Sequence, residues 1–349
     1  MTDKQSKLRS HLSEMPDFVF RFIDYYYDGE SINTQLAFAL DIKIFLNFLI
    51  EAKHFPVTRI EQFNESCMNE ISVDDLLEYK SYLRMYTVNY KTVNGETYSR
   101  THRNSNMGIN RKMSSLRSLF SYLYKTDKIS QNVTLKLDMN KITQKIKKPL
   151  TVQETIRLMD VILNGENYFT GRPLTEYLNR KQRDIALYVT YLGTGVRVSE
   201  LVNLDIADID FETSSFKVTR KGGDEDEIFM PIQVENELFT YLEARKKLEV
   251  KSPALFISRN GERLTISSVE HNLKTYCMMA GITNKDKTRP HALRRTFACT
   301  LLEEGVDIKM VAELMGHKNI EVTHKFYAQY SSAKKKEIMR SRALPEDIS

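Results

Sequence analysis

Apolar residues recur at steps of three and four along most of this chain, and that spacing constrains the fold more than any other sequence feature. The apolar positions are Phe38, Ile42, Phe45 and Leu49 in one segment, and Ile109, Met113, Leu116, Phe120 and Leu123 in another. An α-helix brings such positions onto one face, so each segment predicts a helix with one buried side. Ser72 and Asp75 have the spacing of an N-cap that opens a further helix, which is expected to continue through Tyr86. We therefore expect a mainly α-helical protein.

One part of the chain has a different period. Residues 211–231 alternate β-forming side chains around Lys221-Gly222-Gly223, which predicts a hairpin with a glycine-rich turn. Leu255-Phe256-Ile257 is short and apolar and is expected to add a strand. The acidic run 224–227 is expected at the solvated tip of the hairpin. Residues 87–100 are polar and predict a loop between two helices. The first half of the chain is therefore expected to contain helices and loops only, as an all-helical bundle.

A basic linker divides the chain. Residues 141–149 (KITQKIKKP) have no sustained apolar pattern, and Thr151 and Glu154 then have the spacing of a capping box that opens a helix. At 349 residues the chain can form two domains with a core in each. We expect a helical domain over residues 1–145 and a mainly α domain with a small β-sheet over residues 146–349.

Charge is unevenly distributed along the first domain. Residues 1–83 contain 8 Lys and Arg against 14 Asp and Glu, whereas residues 84–148 contain 14 against 3. A block with a balance of +11 that also carries five tyrosines is typical of proteins that bind a phosphate backbone. The alternative is a solvated helical surface followed by a basic linker.

Several classes of protein are disfavoured by composition. The three cysteines are distant from one another, which argues against a disulfide framework and a zinc site. No nucleotide-binding loop or metalloprotease motif is present, so no cofactor is expected. The N-terminal residues lack an apolar signal segment, and no apolar run approaches the length of a membrane span. A cytoplasmic protein is therefore the expectation.

Four short segments of the second domain carry residues suited to phosphate chemistry. They are Gly193-Thr-Gly-Val-Arg197-Val-Ser-Glu200, Arg220-Lys221-Gly222-Gly223, Pro290-His291-Ala-Leu-Arg294-Arg295, and Leu314-Met-Gly316-His317 running into Phe326-Tyr327. Each segment alone is common. Their order and spacing resemble the tyrosine site-specific recombinases of the Xer and phage-integrase group, and the strings around Arg183, Arg197 and Lys221 are similar to its single-protein XerS-type branch.

The resemblance implies a helical core-binding domain followed by a catalytic domain that cleaves DNA through a 3′-phosphotyrosine. Arg197 and Arg294 would then hold the phosphate oxygens, since guanidinium groups bind them in a bidentate manner and stay charged. His317 would donate a further hydrogen bond, and His291 would move the proton of the nucleophile. Lys221 would protonate the departing 5′-oxygen. Glu200 would orient the site, although a surface ion pair is an equal alternative.

The nucleophile position departs from the family pattern. The tyrosine is expected nine residues after His317, where this chain has Phe326, and Tyr327 follows it. Either position 326 has lost its hydroxyl through a Tyr→Phe change that blocks cleavage, or Tyr327 attacks instead. One residue turns a helix by about 100°, which favours the first interpretation. Tyr330 is a weaker candidate.

Further expectations follow from the resemblance. The partner would be duplex DNA with inverted-repeat half-sites, bound by a dimer on each site and a tetramer in synapsis, with the basic tail 331–349 packed on a neighbouring protomer. A DNA translocase is a possible accessory partner, and no membrane is expected. Residues in the region where DNA contacts are expected are Arg103, Asn110, Arg111, Lys112 and Arg117. Of these, Arg103, Arg111, Lys112 and Arg117 are expected on the polar face opposite the apolar stripe of residues 109–123.

The reaction expected from these features is DNA strand exchange that needs neither a metal ion nor ATP. The XerS-type branch implies a role in chromosome-dimer resolution, and therefore in chromosome partition at cell division. Integration or transposition of a mobile element is the alternative role. A recombinase-derived protein that binds DNA without cutting it, and a type IB topoisomerase-like nicking and closing enzyme, are alternatives of other classes.

Overall fold

The protein divides into two compact units, Met1–Gln144 and Lys145–Ser349. The computed structural model describes residues 3–26, 31–53, 55, 57–91, 94–142, 147–220, 223–248 and 250–316. The assignment of DNA binding to the first unit and catalysis to the second stays a prediction at this point.

The first unit is mainly helical. Its elements are α1 (Asp3–Leu12), α2 (Asp17–Arg21) continuing into a π-helical turn (Phe22–Tyr26), α3 (Ile32–Lys53), α4 (Glu65–Asn69), α5 (Val73–Tyr82), β1 (Met85–Lys91), β2 (Thr97–Arg103) and α6 (Asn106–Lys125). Short 3₁₀ turns occupy Ile60–Gln62 and Val133–Lys136. Ser72 caps α5 in a reciprocal box with Asp75, as its sequence predicts.

The long helix α3 forms the centre of this unit. Ile42, Phe45 and Leu49 are fully buried, and they pack in one cluster with Leu116 and Phe120 of α6. Residues Ile32–Glu51 are long and apolar enough to satisfy a composition test for a membrane span. The packing of α3 within the cluster identifies it as the core helix of a folded domain.

A β-hairpin replaces the loop that was expected at residues 87–100. Strands β1 and β2 pair antiparallel from Met85 opposite Arg103 to Lys91 opposite Thr97. The predicted all-helical bundle is therefore wrong in this part, and α5 ends at Tyr82. Alternating Tyr86, Val88 and Tyr90 favour a strand, and Tyr86 is buried against the helical core.

The second unit is also mainly helical. Its helices are α7 (Val152–Leu163), α8 (Gly171–Leu178), α9 (Lys181–Thr194), α10 (Val198–Asn203), α11 (Ile232–Lys246), α12 (Ile266–Met279), α13 (Pro290–Glu303) and α14 (Ile308–Leu314). Thr151 and Glu154 form the predicted capping box at the start of α7. Short 3₁₀ turns lie at Gly165–Asn167 and Ile206–Asp208.

A small antiparallel sheet lies beside these helices, in the order β3 (Ile209–Asp210), β4 (Ser215–Thr219) and β5 (Glu225–Phe229). The predicted hairpin is confirmed by the β4–β5 pairing. Together with the helices, it confirms a mainly α fold with a small β-sheet.

Two finer expectations about this region are wrong. Residues 255–257 form no strand of the described sheet: Ala254 and Ile257 make isolated bridges to Asp205 and Arg263. Three residues of the acidic run 224–227 belong to β5 instead of a solvated tip. Oγ of Ser215 on β4 donates to Glu227, and Nε of Arg220, directly after β4, donates to Asp226.

Candidate active site

The site begins at a left-handed turn after α9. Gly195 ends that helix with φ +61°, a conformation that glycine adopts without strain. A Cβ at this position would also clash with the ring of Phe297. The turn delivers Arg197 to the N-terminus of α10, where the backbone nitrogen of Arg197 donates to Oε2 of Glu200 at 2.8 Å.

Glu200 is a buried carboxylate shared by two arginines. Its Oε1 accepts from Nη1 of Arg197 at 2.7 Å, and its Oε2 accepts from Nη1 of Arg220 at 2.9 Å. The Glu200 side chain is 4% exposed, so these are contacts in a low-dielectric environment and not the surface ion pair of the alternative interpretation. The structure places Glu200 where it orients Arg197.

Arg220 also belongs to this cluster, although no role was predicted for it. Its guanidinium is 7% exposed, and Nε donates to Asp226 of β5 at 2.9 Å. Arg220 thus links β4–β5 to Glu200 through two carboxylates. In the sequence, only its position next to Lys221 could have indicated a role for Arg220. Its burial and its ion pairs depend on the folded sheet.

Arg294 lies on α13, beneath the same turn. It is 1% exposed. Its Nη1 donates to the carbonyl of Gly195 at 2.5 Å, and its Nη2 donates to the carbonyl of Met315. Burial, followed by the nearby charge of Arg197, lowers the pKa of Arg294 to about 10, so the guanidinium remains charged at neutral pH.

The end of α14 closes the arrangement. Nη2 of Arg197 donates to the carbonyl of Gly316 at 3.0 Å. Gly316 has φ +57°, and a Cβ on it would lie 2.5 Å from Cζ of Arg220. The three arginines are therefore packed around the residues that directly precede His317.

His291 occupies the first turn of α13, one helical turn before Arg294. Part of the imidazole is open to solvent. Burial of the rest, and repulsion by Arg295 and Arg294, lower the pKa of His291 to about 4. The imidazole is therefore neutral at physiological pH, and the same positive charges make it a weaker base than an ordinary histidine.

Four of the predicted site positions lie in this cluster or directly beside it. Arg197, Glu200, His291 and Arg294 lie in the second unit as described, with Arg197 the more open of the two predicted phosphate-binding arginines at 34% exposure. Lys221, His317, Phe326, Tyr327, Tyr330 and the tail 331–349 lie outside the described residues. Among the residues that are described, no group of three or more His, Cys, Asp or Glu side chains could hold a metal ion.

The candidates for DNA contact on α6 make contacts inside the first unit. Arg111 donates to both carboxylate oxygens of the buried Asp41, at 2.6 and 2.8 Å. Asn110 exchanges hydrogen bonds with the backbone of Asn140, and Arg117 donates to the carbonyl of Leu137.

Lys112 does not lie on the polar face that was expected for it. It is 8% exposed, its Nζ contacts Oδ1 of Asn104 at 3.3 Å, and burial lowers its pKa. The reason is that Lys112 lies three residues after Ile109 and four before Leu116, so the helix turns it toward the same buried side. Arg103 differs from these residues because it lies exposed on β2.

Comparison with known proteins shows the family of the chain. The phage integrase family matches residues 172–334. A tyrosine recombinase XerC of Thermodesulfovibrio yellowstonii is 34% identical over 221 residues, covering 62% of this chain and 69% of the relative. The tyrosine recombinase XerS of Streptococcus thermophilus strain CNRZ 1066 is 28% identical over 345 residues, covering 91% and 93%.

A solved structure shares the fold. The XerH site-specific recombinase bound to a palindromic difH substrate has a TM-score of 0.63 at 18% identity, covering 93% of this chain and 94% of that one. The chain belongs to the tyrosine recombinases, enzymes that transfer DNA strands. The resemblance inferred from the four motifs is confirmed.

Proposed function

We propose that the Arg197–Glu200–Arg220 network, with Arg294 and His291, is the phosphate-binding part of a DNA strand-transfer site. The observation that carries this proposal is the buried carboxylate of Glu200, which binds both Arg197 and Arg220. It holds the partly exposed guanidinium of Arg197 in place beside the buried guanidinium of Arg220. Such groups stabilise the charge that develops on phosphate oxygens without reorganising during the reaction.

The proposed reaction conserves the energy of the DNA bond. A tyrosine oxygen attacks phosphorus, a 3′-phosphotyrosine forms, and the bond from phosphorus to the 5′-oxygen breaks. His291 accepts the phenolic proton, and Lys221 supplies a proton to the leaving 5′-oxygen. Arg197, Arg294 and His317 stabilise the transition state, and the reverse steps rejoin a new 5′-hydroxyl.

Position 326 is the proposed nucleophile position, and Phe326 makes this chain a cleavage-blocked form. Phenylalanine keeps the packing of tyrosine but lacks the attacking oxygen. The intact Arg197, His291 and Arg294 favour this interpretation over a decayed DNA-binding relative, in which clamp residues would also be lost. Attack by Tyr327 is the alternative.

The proposed partner is duplex DNA with inverted-repeat half-sites, in the cytoplasm. The similar XerH protein is bound to a palindromic substrate, and a two-fold site suits two protomers related by symmetry. We propose dimers on each site and a tetramer in synapsis. Full-length similarity to XerS favours chromosome-dimer resolution, with mobile-element integration as the second candidate.

Covalent capture tests the proposal. The substrate is a nicked duplex carrying a site that the chain itself selects from a random inverted-repeat library. The present chain should form no adduct, Phe326→Tyr should form one, and Phe326→Tyr with Arg197→Ala should not. Adducts from the present chain that disappear in Tyr327→Phe would place the nucleophile at 327 and overturn the assignment of position 326.

Two further outcomes separate the alternatives. A Phe326→Tyr variant that binds the site and never forms an adduct would support a non-catalytic DNA-binding protein. Relaxation of supercoiled plasmid by Phe326→Tyr without any site preference would support the topoisomerase-like activity.

A further inference from the structure

The β1–β2 hairpin of the first unit presents an exposed, mainly polar face. In antiparallel register, Met85, Thr87 and Asn89 of β1 share one face with Thr97, Ser99, Thr101 and Arg103 of β2. All seven are exposed. We call these seven residues the outer face.

The outer face is ordered by its own cross-strand contacts. The hydroxyls of Thr87 and Thr101 lie 3.1 Å apart, and Oγ of Ser99 donates to Oδ1 of Asn89 at 2.7 Å. These pairs leave a row of hydroxyl and amide groups at the surface, which can donate to and accept from a ligand.

The opposite face anchors the hairpin to the helices. Tyr86 stacks on Tyr82 of α5 and on His102 of β2, with ring centroids 5.2 Å apart in both pairs. The hydroxyl of Tyr90 lies 3.0 Å from Nε2 of His102. Isolated two-stranded hairpins are marginally stable, so this packing gives the outer face a fixed geometry before any ligand arrives.

A second anchor lies at the base of the hairpin. Nδ2 of Asn104 donates to the carbonyl of Leu83 at 2.7 Å, and the nitrogen of Asn104 donates to the carbonyl of Arg84 at 3.2 Å. The two ends of the hairpin are thereby held together, directly before the cap of α6 at Ser105.

The charge of the hairpin selects the chemistry of its ligand. Residues 84–103 contain four basic residues, Arg84, Lys91, Arg100 and Arg103, and one acidic residue, Glu96 in the turn. In the strand register Arg103 lies on the outer face, whereas Arg100 lies on the opposite face. The two strands contain no Asp or Glu. A ligand with regularly spaced negative charge and groove-edge hydrogen-bonding groups fits such a surface, and a two-stranded ribbon fits the major groove of B-DNA.

We propose that the outer face of the β1–β2 hairpin is a duplex-DNA contact surface of the first unit. Asn110, Arg111, Lys112 and Arg117 on α6 already bind groups within the domain. Among the described residues, the outer-face side chains of Thr87, Asn89, Ser99 and Thr101 hydrogen-bond across the two strands and leave the surface of the hairpin open. This inference rests on the proposed DNA-binding function and adds the surface that performs it.

Charge substitutions on the full chain test the proposal. The probe is a labelled mixed-sequence duplex of about 30 base pairs, with affinity measured by anisotropy between about 50 and 200 mM KCl. Thr101→Glu should weaken binding about tenfold and Thr101→Lys should tighten it, because a charge at the centre of the outer face would lie against phosphates. Ser10→Glu on the exposed side of α1 is the matched control and should have little effect.

A second variant measures a phosphate contact directly. Arg103→Gln should reduce the slope of log affinity against log salt by about one, whereas Arg21→Gln on α2 should leave it unchanged. Circular dichroism establishes that each variant is folded.

The outcomes separate the two levels of inference. One outcome is that the parent chain binds the duplex tightly and that Thr101→Glu and Thr101→Lys bind with the same affinity as Ser10→Glu. That outcome would overturn the assignment of the hairpin as a DNA contact and leave the proposed function intact. Failure of the parent chain to bind any duplex, while it binds single-stranded RNA or nothing, would overturn both.

Discussion

Replacing Glu200 with glutamine tests the energetic core of the site. The substitution keeps the shape of the side chain and one carbonyl acceptor, but it removes the negative charge shared by Arg197 and Arg220. Glu200 accepts three hydrogen bonds, from Nη1 and the backbone nitrogen of Arg197 and from Nη1 of Arg220, at 2.7, 2.8 and 2.9 Å.

The magnitude follows from the burial of the groups left behind. Removing one partner of a buried ion pair costs about 3–5 kcal/mol, because the remaining charge stays desolvated. Two features of this site reduce that cost: Asp226 still pairs with Arg220, and Arg197 is 34% exposed and can be hydrated. We therefore expect a loss of about 2 kcal/mol in the stability of the second unit.

Calorimetry of the full chain provides the assay. A loss of about 2 kcal/mol corresponds to a decrease of roughly 4–8 °C in the Tm of a unit of this size. The matched control is Glu270→Gln, on the exposed side of α12, which should shift the same transition by about 1 °C or less.

A double-mutant cycle attributes the loss to the ion pair. Glu200→Gln and Arg220→Gln should be non-additive by about 1 kcal/mol or more, since each removes the same contact. Equal transition temperatures for parent and Glu200→Gln, or strictly additive losses in the cycle, would refute the view that this carboxylate binds the two arginines together. In the Phe326→Tyr background, Glu200→Gln should also slow adduct formation, because Arg197 loses its orientation.

Three further predictions concern single groups. His291 should titrate near pH 4 in the free chain by NMR, with its signal identified by comparison with His291→Gln. Because that pKa lies below the ordinary value of about 6.5, the contribution of His291 to folding stability should be constant above about pH 6.5 and decrease as the pH falls toward 4. An ordinary titration near pH 6.5 would contradict the lowered pKa. Gly195→Ala should destabilise the second unit by about 2–4 kcal/mol through its positive φ and its contact with a ring of α13, measured by calorimetry; an unchanged Tm would show that the turn tolerates a Cβ. Arg111→Met should lower the stability of the first unit by about 3 kcal/mol, because it leaves the buried carboxylate of Asp41, 2% exposed, without its guanidinium partner. A loss no larger than that of Arg21→Met at the surface would rule out a stabilising role for the Arg111–Asp41 ion pair.

Local patterns were enough to predict the class of fold and the family. Apolar steps of three and four specify helices because they fix which side of each helix is apolar, and the buried Ile42, Phe45 and Leu116 follow from that pattern. Short spacings such as Arg197 to Glu200 and His291 to Arg294 are equally local, since a helix alone places such residues on one side. The capping boxes before α5 and α7 are confirmed for the same reason.

Contacts between distant parts of the chain could not be predicted in this way. Lys112 and Arg111 were both expected on a polar face, yet one is buried and the other binds Asp41, seventy positions earlier in the sequence. The β1–β2 hairpin was missed because its strand periodicity is carried by polar residues and tyrosines. Only the packing of Tyr86 against the helices reveals which of its faces is inward.

The sequence by itself determined the helical class, the β4–β5 hairpin and the set of residue types that phosphate chemistry requires. Tertiary structure decided how those residues are held: that Glu200 is buried between Arg197 and Arg220, and that Arg294 is anchored to carbonyls at positions 195 and 315. The physical reason is that helical periodicity depends on neighbours within one turn, whereas burial of a charge depends on which distant groups fold around it to replace water.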